Sequence, residues 1–298
     1  MQPNDPYRYG LPVPPVSSGP TGKEILGATW TLLRQDRELL ALPFISALAG
    51  LAAAALLFVP GWAIGTAVSG SGRSGLTVGG VAAVFAMSIV AIYFQAALVV
   101  GANMRADGGT PTLGTVLRQT SRLFRPIIAW ALLTTTVGVA LRIAEQRLGI
   151  LGKIVGFLGG VAWAIASFLA VPVVVAEGLG PIAAVKRSAE LVRTTWGTGL
   201  RTTLRFGLIQ FLLTLPALIV GVIGFAALFS GTTAGVVVGM VLIAAAVLAL
   251  FVLGAVFNAV FSYARAMIYR YATGRPVPGI PHAAFAGAFA PKRRRRRT

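Results

Sequence analysis

Few side chains in this sequence could do chemistry. The only histidine, His282, lies in a Pro/Gly/Ala-rich stretch without an acidic neighbour. The carboxylates number eight: Asp5, Glu24, Asp36, Glu38, Asp107, Glu145, Glu177 and Glu190. There is no cysteine, which removes thiolate nucleophiles, disulfides and cysteine metal sites together. P-loop, dinucleotide-binding and zincin motifs are missing, and no nucleophile, base and stabilising group can be assembled from what remains. None of the carboxylates falls inside a long apolar run, where a proton-coupled carrier would keep an ionisable group. The sequence therefore predicts no enzyme, no catalytic or metal-binding residue and no cofactor.

What the chain does hold is positive charge. Lys and Arg total 26 for a net charge of +18. On a soluble protein that would point to nucleic acid. Here the cations flank apolar runs, where membrane insertion needs them, so no nucleic acid is expected. Charged residues make up only 11% of the chain and apolar ones 56%, against about 25% charged in soluble domains. From Phe206 to Ala264 there are 59 residues without a single charge. As one straight helix these would run ~88 Å, about three times the hydrocarbon thickness of a bilayer. The run must fold back on itself, and Ser230-Gly231-Thr232-Thr233-Ala234-Gly235 is its polar turn.

The same pattern elsewhere gives six spans, over 39–60, 76–102, 126–144, 154–176, 207–229 and 236–262. The expected fold is an all-α polytopic transmembrane bundle: three hairpins with amphipathic interfacial helices. Domain limits follow, with a disordered tail over 1–21, the six-helix domain over 22–273 and a disordered polybasic tail over 274–298. The Pro-rich first segment has no apolar core and is not expected to be a signal peptide. Of the 26 basic residues, 22 fall on the side that carries both termini. The positive-inside rule then makes both termini cytoplasmic. Four Lys against 22 Arg, with abundant Ala, Gly and Val, suggest a G+C-rich bacterial genome, hence a multi-pass protein of a bacterial inner membrane.

An internal repeat lies beneath this order. Ala106-Asp107-Gly108-Gly109-Thr110-Pro111 matches Ala176-Glu177-Gly178-Leu179-Gly180-Pro181, and Thr31-Leu32-Leu33-Arg34-Gln35 matches Thr115-Val116-Leu117-Arg118-Gln119. The simplest account is three units, each an interfacial helix followed by a hairpin. Ile182, Val185, Ala189, Val192 and Trp196 form one apolar stripe. Lys186, Arg187 and Arg193 lie off it, as Arg118 and Arg122 lie beside Leu113, Val116, Leu117, Thr120 and Phe124. Such helices lie along the headgroup layer with their cations among lipid phosphates, or pack against the ends of the spans. Membrane lipids with anionic headgroups are the expected partners, with room for a membrane-protein partner or a homo-oligomer. The terminal run Lys292, Arg293, Arg294, Arg295, Arg296 and Arg297 is read as a headgroup clamp or a topological anchor.

The stretch Val171-Pro172-Val173-Val174-Val175-Ala176-Glu177-Gly178-Leu179-Gly180-Pro181, followed by Ala184, Lys186-Arg187-Ser188, Leu191 and Trp196-Gly197, resembles a signature of uncharacterised six-span bacterial membrane proteins. These are similar to the membrane domain attached to some glycerophosphoryl diester phosphodiesterases. The resemblance implies hairpins with amphipathic connectors and no catalysis, because the phosphodiesterase barrel has no counterpart here.

Inside the spans the amides Gln95, Gln210 and Asn258 stand out, with Tyr93 and Thr134–Thr136. They serve either as interhelical hydrogen-bonding groups or as a polar pathway. Gly156 with Gly160, and Gly235 with Gly239, are set for close helix contact, and Pro172 and Pro216 should kink spans four and five. Two functions follow: a non-enzymatic scaffold or lipid-interacting assembly partner, or a permease or flippase for an apolar or amphipathic solute.

Overall fold

The computed structural model describes residues 22–147 and 149–278. The tail 1–21 and, in the second tail, His282 and Lys292–Arg297 lie outside the described residues. The helices, in chain order, are α1 (Gly22–Gln35), α2 (Leu42–Ser69), α3 (Gly72–Ala106), α4 (Leu113–Ser121), α5 (Phe124–Arg147), α6 (Gly149–Ala166), α7 (Ala170–Glu177), α8 (Pro181–Leu228) and α9 (Thr233–Ala272). A short 3-10 turn over Arg37–Ala41 joins α1 to α2. No strand occurs among the described residues. Six segments are long and apolar enough to cross a membrane: Glu38–Ser69, Gly72–Ala106, Phe124–Arg147, Leu151–Glu177, Gln210–Leu228 and Thr233–Ala272. The chain is an all-α, multi-pass membrane bundle.

Three features differ from expectation. The sequence predicts a first span ending at Pro60, yet α2 runs through Pro60 to Ser69. A proline costs one backbone hydrogen bond, which membrane helices tolerate, and no charge interrupts the run from Leu39 to Gly72. The fourth span breaks before Pro172 rather than at it, over Ser167–Leu169, and α7 restarts at Ala170. A proline ring clashes with the carbonyl four residues earlier, here Phe168, and Ser188 on α8 accepts the freed Leu169 N–H at 2.9 Å. The third interfacial helix is not separate, because α8 continues from Pro181 through Pro216 to Leu228 without a break. In the first two units a proline, Pro43 or Pro126, stands within the first turn of the span, where its missing N–H costs little, and the preceding helix has already ended. The third unit has none at that place.

The repeat gains further copies in three dimensions. Leu32, Val116 and Leu191 are all buried, while Arg34, Arg118 and Arg193, two residues on, are all exposed. The linker recurs at the end of α9 as Ala272-Thr273-Gly274-Arg275-Pro276. Gly108, Gly178 and Gly274 share the left-handed conformation, with φ of 82°, 65° and 70°. Each closes a span with a cap that L side chains adopt at a cost.

Each hairpin is held internally by small residues, Gly156 and Gly159 of α6 facing the Glu145 and Leu141 side chains of α5 in the middle one. Between α2 and α3, a Cβ built on Gly65 would lie 2.8 Å from the Ser74 carbonyl, and one on Gly79 would lie 2.8 Å from that of Phe58. Gly239 is equally tight against Gly224 on α8, whereas Gly160 faces open space. The core joining the hairpins sits at the end where the linkers gather. It contains Leu33, Leu39, Leu42, Leu98, Val116, Ile127, Leu169, Val173, Tyr263 and Met267. The last turns of α9, from Ser262 to Tyr271, are buried on nearly every side. Farther along, Leu56, Val68, Leu151, Phe157, Val222 and Val241 point outward, as lipid-facing residues do.

Candidate functional site

Three carboxylates meet the end of α9 where the linkers gather. Asp36 follows α1, and its side chain is fully buried. Arg105, from the last turn of α3, donates through Nε to Oδ1 of Asp36 at 2.9 Å and forms an ion pair through a terminal nitrogen. Tyr263 on α9 donates its hydroxyl to the other oxygen of Asp36 at 3.0 Å. Asp107, in the first linker, accepts from Arg270 at 2.7 Å. The Arg270 side chain is only 4% exposed, and its Nε donates to the Pro276 carbonyl at 2.8 Å. Glu177, in the second linker, accepts from the Tyr269 hydroxyl at 2.8 Å and from Arg187 Nε at 3.3 Å. The two linker acids thus hold adjacent residues of α9, and the third linker carries Thr273 at that position.

These pairs are not equivalent. Asp36 with Arg105 and Tyr263 is a buried, charge-assisted set with both carboxylate oxygens engaged, so losing one member leaves an uncompensated group. Arg187 is 41% exposed and shared between Glu177 and Glu190, an arrangement worth about 0–1 kcal/mol. Its pKa is raised, first by the hydrogen bond to Glu177 and then by that carboxylate's charge. It stays cationic at any working pH. Chemically the cluster is a set of ties: each carboxylate faces a cation, a phenol or both.

The residues singled out in the sequence distribute unevenly. Arg118, Arg122, Lys186 and Arg193 are exposed. Arg187 also lies on the surface but is bound to carboxylates. Arg118 and Arg122 line a cleft of about 200 Å³ with Met104, Thr115 and Gln119. Gln95 is partly buried, while Gln210 and Asn258 are exposed. Neither this cleft nor a second, apolar one between α8 and α9 is lined by any of the three amides. The interhelical hydrogen bond expected of Asn258 is not made among the described residues. The buried stripe of α9 at that height is Ala255, Ala259 and Ser262, and Asn258 lies off it. Of the other intramembrane polar residues singled out in the sequence, Tyr93 donates to the Leu117 carbonyl at 3.2 Å and Thr134 accepts from Trp163 at 3.4 Å.

Residues 78–277 match the family model described as a family of unknown function (DUF6159). That is about two-thirds of the chain. The chain belongs to this family. The matched region runs from α3 to Val277 and contains every member of the cluster except Asp36. No curated protein and no solved structure matches the chain. Nothing in these comparisons supports a likeness to the phosphodiesterase membrane domain.

Sequence reasoning missed the cluster because it weighed the carboxylates as catalysts. Two signals were present. Acids are scarce in a chain with a net charge of +18, and two of the eight occupy the same place in the repeated linker.

Proposed function

We propose that this family member is a non-enzymatic membrane scaffold, one whose basic connector helices lie in the headgroup layer and engage anionic lipid. The observation that carries the reading is the division of labour among the polar groups. Asp36, Asp107 and Glu177 are all engaged in ties between elements, while Arg118, Arg122, Lys186 and Arg193 stay on the surface. The 22-to-4 distribution of basic residues supports placing both termini in the cytoplasm of a bacterial cell. The phosphodiesterase-domain resemblance fits a hairpin architecture that carries no catalytic barrel. The outward apolar faces leave room for a second copy or another membrane protein.

A second reading, a permease or flippase for an apolar or amphipathic solute, is favoured by one feature. Ala217, Gly221, Phe225, Ala246, Val247 and Leu250 help to line a cleft of about 270 Å³ between α8 and α9. Proteoliposomes with fluorescent phospholipid in both leaflets separate the two readings, since external dithionite quenches only outer-leaflet label. The scaffold reading predicts quenching that stops near half, as in protein-free vesicles. Quenching beyond half would favour the flippase.

A further inference from the structure

We propose that the cleft between α4 and the end of α3 is a specific site for the phosphate of an anionic glycerophospholipid. This deepens the reading of the connector helices given above and rests on it. Four of the five lining residues come from α4 and its C-cap: Thr115, Arg118, Gln119 and Arg122. Met104 of α3 is the fifth.

The two arginines stand four residues apart, so they share one side of the helix, with Cβ atoms ~5–6 Å apart. Neither takes part in any of the ion pairs among the described residues. Those pairs join Arg105, Arg187 and Arg270 to Asp36, Glu177, Glu190 and Asp107. Two guanidiniums side by side without a carboxylate repel each other, and an anion between them removes that cost. A guanidinium's planar set of N–H donors matches phosphate oxygens in pairs. The Thr115 hydroxyl is already engaged with Thr112 in the capping box. It shapes the wall, and the free donors are the two arginines and the Gln119 amide.

Position selects lipid over soluble phosphate. The opposite face of α4 is buried through Val116 and Thr120, and Tyr93 bonds to its backbone. The helix is therefore fixed against the bundle and the cleft faces outward. Span α5 begins at Phe124, two residues past Arg122, and that ring is 51% exposed. A phosphate between the arginines would lie at the boundary where headgroups meet acyl chains. The volume is below the ~300–1,000 Å³ of pockets for drug-sized ligands, which suits a headgroup with its tails left in the bilayer.

The test uses the full chain purified in a neutral detergent, with thermal unfolding followed by tryptophan fluorescence. Phosphatidylglycerol, phosphatidylcholine, glycerol 3-phosphate and inorganic phosphate are titrated separately. A ligand that binds the folded state raises the midpoint in proportion to the logarithm of its concentration over Kd. Phosphatidylglycerol should raise it and phosphatidylcholine should not. R118Q/R122Q should keep the lipid-free midpoint while weakening the phosphatidylglycerol response about thirtyfold, as the loss of two surface cations implies. K186Q/R193Q, on α8, should retain the response. A response unchanged in R118Q/R122Q, or lost only in K186Q/R193Q, would overturn the α4 site and leave lipid engagement standing. An equal effect of glycerol 3-phosphate or inorganic phosphate would overturn lipid as the ligand. No response of any variant to phosphatidylglycerol would overturn both.

Discussion

Removing the Asp36 carboxylate should do more damage than any other single change at a charged position. Asp36→Ala strips the buried Tyr263 hydroxyl of its acceptor and Arg105 of its counter-charge. Breaking a buried pair by deleting one partner costs about 3–5 kcal/mol. Arg105 is 20% exposed and can turn partly toward water, so the lower end, about 3 kcal/mol, is the expectation. Asp36→Asn keeps an acceptor for Tyr263 and loses the charge, so roughly half that loss should follow. Replacing both partners, Asp36→Leu with Arg105→Met, removes the desolvated charges together. The double change should cost at least about 1 kcal/mol less than the sum of the singles. The assay is equilibrium unfolding in mixed micelles, titrated with a denaturing detergent and read by circular dichroism. Asp36→Ala within about 0.5 kcal/mol of the native chain, or a strictly additive double variant, would refute the claim that this set ties the elements together.

Further outcomes follow from the same structure. Gly79→Val should destabilise by about 1–3 kcal/mol, because its Cβ meets the Phe58 carbonyl at 2.8 Å. Gly80→Ala meets nothing within 4 Å and should be neutral or slightly stabilising in the same unfolding assay. Asn258→Ala should change stability by no more than about 0.5 kcal/mol, as for a surface position, since the amide is exposed and unbonded among the described residues. Because the chain lacks cysteine, single cysteines at Ser17, Ser71 and Thr232 report topology directly. An impermeant maleimide on whole cells should label the last two and spare the first.

The sequence showed the spans and their pairing into hairpins because long uncharged runs and polar turns are local signals. Their precise ends were less legible. Whether a helix continues past Pro60, or α8 past Gly197, depends on neighbours and on where no proline stands, as at the α8 junction. The glycine contacts were half visible: Gly239 follows from spacing, but Gly65, Gly75 and Gly79 make the tightest approach between α2 and α3. That requires knowing which faces meet. The site was read least well. Arg118 and Arg122 were recognisable as a basic helix face, but the partners of Asp36, Arg105 and Tyr263, are 69 and 227 residues away. The scarcity of acids and the repeated acid before Gly108 and Gly178 hinted at a common structural duty.

The claim on which the account depends most is that Asp36 and the linker carboxylates hold the hairpins together at one end. Spin labels on cysteines at Thr110 and Arg275, both exposed linker positions, measure this by pulsed dipolar spectroscopy in lipid nanodiscs. The native chain should give one narrow distance distribution, and Asp36→Ala combined with Asp107→Ala should broaden it. A distribution already broad in the native chain, or one left narrow after both carboxylates are removed, would contradict the account.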